Sequence, residues 1–317
     1  MRVRVLYHDH CFDGAASAAI FSRFIRGSFH PDAVFEYTGM AHRASQIFED
    51  SLFDGDENAI VDFKYSSNPK LTWWFDHHQS AFLTPADARH FQEGHSPYKM
   101  YDPSFKSCTN FIRVMANQKW GFSAPDLDDL VHWANIIDGA QYPDPKTAVE
   151  LGEPAMKLTL VIEGSKGSDV VQQVIRYMQQ MPLKEIVEQP AIQALYRTLY
   201  ARHLNSLNII RDRASESGGV ITFDLTGYDL EGYNKFIPYY LYPNSIYTVA
   251  VSPSSFRTKI SVGSNPWAPE EPRHNLASIC ERYGGGGHAC VGAISLEPGQ
   301  VEEARRVAAE IAHELRN

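Results

Sequence analysis

Residues 2–26, RVRVLYHDHCFDGAASAAIFSRFIR, carry the pattern that decides the fold. A β-branched run from Arg2 to Tyr7 ends in polar residues, and an alanine-rich segment with helical periodicity begins at Gly14. This order predicts a strand, a loop and a helix. Looser copies follow, with strands predicted at 33–38, 58–62 and 71–75 and a helix at 43–53. Such alternation is typical of a mostly parallel α/β sheet flanked by helices.

The rest of the chain predicts a helical connector and a smaller C-terminal α/β domain. Apolar residues recur at helical spacing over about 170–213, and strand-like runs follow at 219–223, 245–251 and 258–262. A length of 317 residues is enough for about two domains. We therefore predict a catalytic domain over 1–165, a connector over 166–215 and a substrate-binding domain over 216–317.

Composition and charge narrow the class of protein. The chain is 44% hydrophobic and 21% charged, and none of its apolar stretches reaches the length of roughly 18–20 residues that a membrane helix needs. The four cysteines form no C-x-x-C pair, so we expect reduced thiols in a cytoplasmic protein. The net charge of −9 argues against binding of long duplex nucleic acid, because that affinity comes from basic surface. Short oligonucleotides and small nucleotides remain as ligands.

Acidic and imidazole groups follow three of the predicted strands. The segment His8–Gly14 follows the first, Asp62 follows the third, and Asp76-His77-His78 follows the fourth. Because loops at the carboxyl ends of parallel strands line one crevice, these groups can surround one point. Asp138, after a further apolar run, is a fourth candidate. A single aspartate after a strand is more often a cap or turn residue, but the four together favour a functional site.

This mixture of carboxylates and imidazoles favours a divalent cation. Without thiolate pairs it suits Mn²⁺, Mg²⁺ or Fe²⁺ better than a structural zinc. Two ions about 3.5–4 Å apart can share a bridging carboxylate, activate a water molecule and stabilise the attacking and leaving oxygens on phosphorus. The pattern therefore indicates hydrolysis of a phosphate ester.

A second feature is the run Gly284-Gly-Gly-Gly-His288, between a helix predicted at 275–282 and a strand predicted at 291–295. Consecutive glycines let backbone N–H groups approach a phosphate or carboxylate closely, and His288 adds a donor. The alternative is a flexible loop with an incidental histidine.

The order of these motifs resembles that of the DHH phosphoesterase superfamily, in the branch whose C-terminal DHH-associated domain carries a GGGH motif. The resemblance spans nearly the whole chain, from the first motif through Asp76-His77-His78, which names the family, to His288. It implies an N-terminal domain that holds two Mn²⁺-type ions, a smaller substrate domain, and an active site in the cleft between them.

The resemblance also implies a role for individual residues. Asp62 resembles the carboxylate that bridges the two ions. The remaining implied ligands are Asp13, His77 and Asp138 for one ion and His8 for the other. His78 resembles a catalytic group that faces the substrate phosphate, and Asp76 a carboxylate that supports it. The implied binding site for the substrate's terminal phosphate comprises Gly285, Gly286, Gly287 and His288.

The first motif departs from the family pattern at Cys11, where relatives carry an aspartate two residues before the equivalent of Asp13. The sequence leaves open whether Cys11, Asp9 or His10 completes the site of the first ion. A thiolate would make that site softer and favour Fe²⁺ or Zn²⁺, whereas an uninvolved Cys11 would leave a more weakly bound ion.

We therefore expect a cytoplasmic hydrolase, a metal-dependent phosphodiesterase or phosphatase of the oligoribonuclease-like kind. Its expected substrate is a short oligonucleotide or small nucleotide, cleaved by a water molecule that two Mn²⁺ ions activate. The alternatives are an inorganic polyphosphate hydrolase and a nucleotide-binding sensor without turnover. Long duplex nucleic acid and membranes are not expected partners, and the oligomeric state stays open, a homodimer included.

Overall fold

Residues 1–41, 48–228, 230 and 232–317 are described in the computed structural model of the chain. They group into two units. The first comprises Met1–Tyr142 and Gly152–Leu199, and the second comprises Pro143–Leu151 and Tyr200–Asn317. Within these described ranges, no helix combines the length and the apolar character that crossing a membrane requires.

A five-stranded parallel sheet forms the centre of the first unit, in the order β2-β1-β3-β4-β5. The strands are β1 Arg2–His8, β2 Val34–Met40, β3 Glu57–Val61, β4 Trp73–Asp76 and β5 Lys99–Tyr101. Val5 and Phe75 pack into a core on one face of the sheet. Leu6, Ile60 and Trp74 pack into a second core on the opposite face. Apolar cover on both faces is what a parallel sheet requires.

Helices provide much of this cover. Those of the first unit are α1 Phe12–Ser28, α2 Pro85–Gly94, α3 Cys108–Trp120, α4 Asp128–Asp138, α6 Pro154–Gly164, α7 Asp169–Met178, α8 Leu183–Ile186 and the beginning of α9 Pro190–Arg213. Ala15 and Ala19 of α1 are fully buried in the same core as Val5. Their small side chains let the helix lie close to the strands, which brings its first turn to the end of β1.

The second unit is built on a mixed sheet in the order β10-β11-β9-β8-β7-β6, in which only β7 and β8 pair in parallel. Its strands are β6 Ser215–Ser217, β7 Val220–Asp224, β8 Tyr247–Pro253, β9 Thr258–Ser264, β10 Gly286–His288 and β11 Val291–Leu296. Its helices are α5 Pro145–Glu150, the end of α9, α10 Ile237–Leu241, α11 Leu276–Glu281 and α12 Val301–Leu315. Val249 and Ile260 of the sheet share a core with Ile311 of α12.

The predicted fold class is confirmed, with a parallel first sheet, helices after it and a smaller α/β region at the C-terminus. The four strands predicted in the first unit match β1 to β4 within two residues at each end. Of the helix predicted at 43–53, residues 43–47 lie outside the described residues, and Asp50–Leu52 form a short 3-10 helix.

Candidate metal centre

Three neighbouring strands of the first unit deliver polar side chains to one edge of its sheet. His8 is the last residue of β1, Asp62 directly follows β3, and Asp76 is the last residue of β4. Since β1, β3 and β4 are adjacent and parallel, their carboxyl ends lie at the same edge. The structure therefore brings together the groups that the sequence placed after separate strands.

Asp62 lies at the centre of this group. It is fully buried, and its φ of 55° is in the left-handed region, where strain is typical of functional positions. Its Oδ2 lies 3.3 Å from His8 Nδ1. Its Oδ1 lies 3.4 Å from His77 Nε2 and 3.8 Å from His78 Nδ1. One carboxylate thus faces imidazoles on two sides.

Asp13, in the first turn of α1, is held by the start of α3. Its buried carboxylate accepts hydrogen bonds from the backbone N–H groups of Cys108 at 2.7 Å and Thr109 at 3.0 Å, and from the Thr109 hydroxyl at 2.6 Å. The N–H groups of a first helical turn and the helix dipole stabilise a negative charge. Sequence reasoning did not find Thr109; the available signal was Ser107, which caps α3.

Gly14 allows α1 to approach β1 closely. A Cβ at this position would lie 2.1 Å from the carbonyl oxygen of His8, much closer than real Cβ contacts. Only glycine therefore fits here without moving the helix that carries Asp13 away from the strand that carries His8.

His77 faces the carboxylates through one ring nitrogen. Its Nδ1 lies 2.9 Å from the carbonyl oxygen of Phe105, which can only accept, so Nδ1 carries the proton. Its Nε2 lies 3.7 Å from Asp13, 3.4 Å from Asp62 and 3.4 Å from Asp138, the last residue of α4. A ring fixed by a hydrogen bond from its other nitrogen is the usual arrangement of a metal-ligating histidine.

Asp76 fixes the two histidines that follow it. Its Oδ1 accepts hydrogen bonds from the backbone N–H groups of His77 at 2.8 Å and His78 at 3.2 Å. It also accepts one from His78 Nδ1 at 2.7 Å, because a carboxylate offers that nitrogen no proton in return. These bonds orient the His78 ring and hold the backbone of both histidines.

The charges of the cluster shift one another's pKa values. Burial opposes the charge on His77, but the Asp62 carboxylate 3.4 Å from its Nε2 and the charge of Asp13 raise its pKa to about 10. Burial likewise opposes the charge on Asp62, yet His77 and His8 lower its pKa. Burial and the negative charge of Asp62 raise the pKa of Asp13 well above its usual range and that of Asp138 to about 6. The cluster therefore retains protons that a bound divalent cation would displace.

In the part of the chain that the structure describes, potential metal-ligating atoms form three overlapping groups, and the atoms of each group lie within 4.8 Å of one another. The groups are His8, Cys11 and Asp62; Asp62, His77 and His78; and Asp13, His77 and Asp138. Among the described residues, Asp62 Oδ1 and His77 Nε2 are buried polar atoms without a hydrogen-bond partner, a costly state in a protein interior. Divalent cations would satisfy both atoms, and the oxygen and nitrogen donors suit Mn²⁺, Mg²⁺ or Fe²⁺. The residues therefore fit a metal centre, and Asp62 belongs to two of its three groups of potential ligands.

In the second unit, the glycine run forms a strand rather than a loop. Gly286 and Gly287 belong to β10, which ends at His288, an exposed residue. A Cβ on Gly285 or Gly287 would lie 2.3 Å or 2.1 Å from a carbonyl oxygen of β11, so both glycines are needed for the close approach of backbones. Gly286 differs, because its Cβ position faces open space.

An open cavity of about 710 Å³ lies beside β10. Its lining includes Tyr233, Lys235, Phe256, Arg257, Lys259, Gly286 and Gly287. Phe256 is 68% exposed, and the guanidinium of Arg257 lies 5.1 Å from the centre of its ring. The cavity thus combines cationic groups, an aromatic face and an accessible glycine backbone in a chain whose net charge is −9.

Comparison with family models and with curated proteins gives no match. Solved structures do match over nearly all of the chain. The pGpG-specific phosphodiesterase PggH from Vibrio cholerae is 16% identical with a TM-score of 0.71, and 99% of each chain is covered. The DHH domain of a member of a ribosomal-protein family is 13% identical with a TM-score of 0.61, over 98% of this chain and 86% of that one.

RecJ from Thermus thermophilus, in complex with Mn²⁺, is 13% identical with a TM-score of 0.55. The match covers 99% of this chain but 52% of RecJ, so the chain spans about half the length of that protein. At such low identity, structural similarity establishes a shared fold. The protein therefore has the fold of the DHH-domain proteins.

Proposed function

We propose that this protein is a metal-dependent phosphoesterase that hydrolyses short oligonucleotides or small nucleotides. The observation that carries the proposal is the buried Asp62 carboxylate, which lies between His8 on one side and His77 and His78 on the other. Its Oδ1 and the facing His77 Nε2 have no hydrogen-bond partner within the described ranges. Two cations that share Asp62 would satisfy these atoms.

In this proposal Asp62 would be shared by the two ions, Asp13, His77 and Asp138 would hold one of them, and His8 would hold the other. Divalent ions, when bound, supply positive charge that polarises a phosphate ester and promotes its hydrolysis. We take Mn²⁺ as the native ion, since carboxylate and imidazole donors suit it, with Mg²⁺ and Fe²⁺ as competitors. The chain contributes the ordering of the ligands, through the α3 amides at Asp13 and the Phe105 carbonyl at His77.

His78 and Asp76 form the catalytic pair of the proposal. The hydrogen bond of 2.7 Å from His78 Nδ1 to Asp76 holds the ring and its Nδ1 proton in place. His78 Nε2 can then act on the substrate phosphate, either as a hydrogen-bond donor or by moving a proton during the reaction. Asp76 acts through His78, which makes it a positioning residue.

The substrate class follows from charge and from the cavity beside β10. A net charge of −9 does not favour long nucleic acid, whereas Lys235, Arg257 and Lys259 concentrate positive charge locally. Phe256 offers a face on which a base can stack. We propose that this cavity, with Gly285–His288, binds one end of a short nucleotide. PggH, of similar fold, is specific for pGpG, so a linear dinucleotide is the first substrate to test.

The remaining parts of the proposal concern location and assembly. All four cysteines are described and unpaired, the state expected in the reducing cytoplasm, where we place the protein. A homodimer is the assembly to test by light scattering.

The decisive experiment measures the Mn²⁺ content of the purified protein and the Mn²⁺-dependent release of mononucleotide from 5′-labelled pGpG. The wild-type protein should bind close to two equivalents and turn over, whereas Asp62→Ala should lose metal and hydrolysis together. Asp32→Ala is the matched control, because Asp32 is an exposed aspartate in the turn before β2. His288→Ala should raise KM with both metal equivalents retained.

Unchanged hydrolysis in Asp62→Ala would contradict the assignment. Tight nucleotide binding by the wild-type protein without turnover would instead support the alternative that the protein is a nucleotide-binding sensor. Release of orthophosphate from inorganic polyphosphate, with pGpG left intact, would support the polyphosphate hydrolase.

A further inference from the structure

We propose that Cys11 is a thiolate ligand of one of the two metal ions, and that it makes that ion's site chemically different from the other. The proposal rests on the metal centre of the proposed function and concerns a residue where this chain departs from the family pattern. The resulting site has one sulfur, one imidazole and one carboxylate donor. The site around Asp13, His77 and Asp138 has only nitrogen and oxygen donors.

The geometry selects Cys11 over its two neighbours. The donor atoms of His8, Cys11 and Asp62 all lie within 4.8 Å of one another, close enough for one ion to contact all three. Asp62 is fully buried and lies between the two sides of the centre: its Oδ2 is 3.3 Å from His8 Nδ1, and its Oδ1, without a hydrogen-bond partner among the described residues, faces His77 and His78. Cys11 forms no disulfide.

Asp9 does not take part, because its carboxylate is engaged elsewhere. It accepts a hydrogen bond from the Ser168 hydroxyl and another from the Tyr7 hydroxyl at 3.3 Å. It also packs against Gly39, where an added Cβ would overlap its carboxylate. Ser168, directly before α7, and Gly39 of β2 thus hold Asp9 outside the three donor groups.

His10 is likewise directed away from the centre. Its Nδ1 donates to the carbonyl oxygen of Ile162 at 3.2 Å, near the end of α6. Its φ of 53° lies in the left-handed region, which reverses the chain between Asp9 and Cys11. With this turn, Cys11 becomes the residue immediately before α1.

A sulfur donor changes metal preference. Thiolates favour Zn²⁺, Fe²⁺ and Co²⁺, whereas carboxylate and water oxygens suit Mg²⁺ and Mn²⁺. Binding requires the thiol to release its proton to solvent, as metal binding to cysteine generally does. We therefore expect the two sites to fill with different affinities when a softer ion is titrated into the metal-free protein.

Cobalt(II) titration tests the proposal by absorption spectroscopy, independently of activity. The wild-type protein should bind two equivalents, one of which produces a sulfur-to-cobalt charge-transfer band in the near ultraviolet. Cys11→Ser should lack the band and bind that equivalent at least about tenfold more weakly, since loss of a residue that only orients a ligand already costs 10–100-fold. Cys11→Asp should bind two equivalents without the band. Cys290→Ser, at an exposed cysteine in the second unit, should behave as wild type.

Circular dichroism of the metal-free variants establishes whether each is folded. If Cys11→Ser does not fold, Cys11→Asp still tests the proposal. Two cobalt equivalents without the band in the wild-type protein would overturn the role of Cys11 and leave the metal centre intact. Persistence of the band in Cys11→Ser and Cys11→Asp would do the same. Failure of the wild-type protein to bind any cobalt would overturn both this inference and the proposed function.

Discussion

Replacing Gly14 by alanine tests whether the approach of α1 to β1 sets the geometry of the metal centre. The new Cβ would lie 2.1 Å from the carbonyl oxygen of His8, and real Cβ atoms keep at least 3.0 Å from such an atom. Helix and strand must therefore separate by about 1 Å, which moves Asp13 relative to His8. Overpacking of this kind costs about 1–3 kcal/mol of unfolding free energy. A misplacement of about 1 Å at a catalytic site costs on the order of 100-fold in rate.

Urea unfolding measures the loss of stability and the rate of pGpG hydrolysis measures the loss of activity, while calorimetric titration with Mn²⁺ shows whether the displaced ligands bind metal more weakly. Gly27→Ala is the matched control, because Gly27 lies in the same helix, is exposed, and its new Cβ would meet only the Phe122 ring edge at 3.3 Å. Alanine gains up to about 1 kcal/mol over glycine in a helix, so this variant should be at least as stable as wild type and bind Mn²⁺ normally. A Gly14→Ala protein with wild-type midpoint and Mn²⁺ affinity would refute the role assigned to the contact.

Three further outcomes are expected. Thr109→Val removes the hydroxyl that donates to Asp13 at 2.6 Å and should weaken Mn²⁺ binding by about 10–100-fold in calorimetry, while Thr109→Ser should restore it. Burial lowers the pKa of His203, so its contribution to stability is fully present above the unfolded value of about 6.5 and is lost as the pH falls through the folded pKa. His203→Gln should therefore lose less unfolding free energy than wild type between about pH 7 and pH 5 in urea melts, and equal losses would argue against this linkage. Gly287→Ala should lower the unfolding midpoint because its Cβ would overlap β11, whereas Gly286→Ala should keep the midpoint and raise KM for pGpG; equal midpoints for the two would contradict the packing argument.

The sequence predicted the parts of the fold that have a clear apolar pattern. β1 to β4 combine β-branched or aromatic residues with polar boundaries, and α1 has small residues on its buried side. α2 was missed because none of its ten residues is buried, so it has no apolar stripe. Its start was still encoded by Thr84 and Asp87, which form a capping box around Pro85. β5 was missed because three residues are too few to show alternation.

The candidate metal centre was likewise predictable only where the sequence carries a clear pattern. Residues that follow parallel strands must converge, so the meeting of His8, Asp62 and Asp76 could be predicted from order alone. The groups that orient Asp13 and His77 could not be predicted, because the N–H of Cys108 and the carbonyl of Phe105 are backbone atoms with no residue-type signature. Which of Asp9, His10 and Cys11 completes a metal site depends on where the loop after β1 reverses, and no periodicity in the sequence encodes that position.

The distribution of hydrogen bonds among the buried carboxylates separates supporting groups from the reactive one. A buried carboxylate costs several kcal/mol unless it is paired, and the fold supplies three donors to Asp13 and three to Asp76 Oδ1. Asp62 Oδ1 and Asp76 Oδ2 both lack a hydrogen-bond partner among the described residues. Of these two oxygens, it is Asp62 Oδ1 that lies 3.4 Å from His77 Nε2, itself a buried atom without a hydrogen-bond partner. A purely structural cluster would gain stability by satisfying that atom as well. We therefore expect a cation to add most stability at Asp62 Oδ1, and replacement of Asp62 to affect metal binding and hydrolysis together.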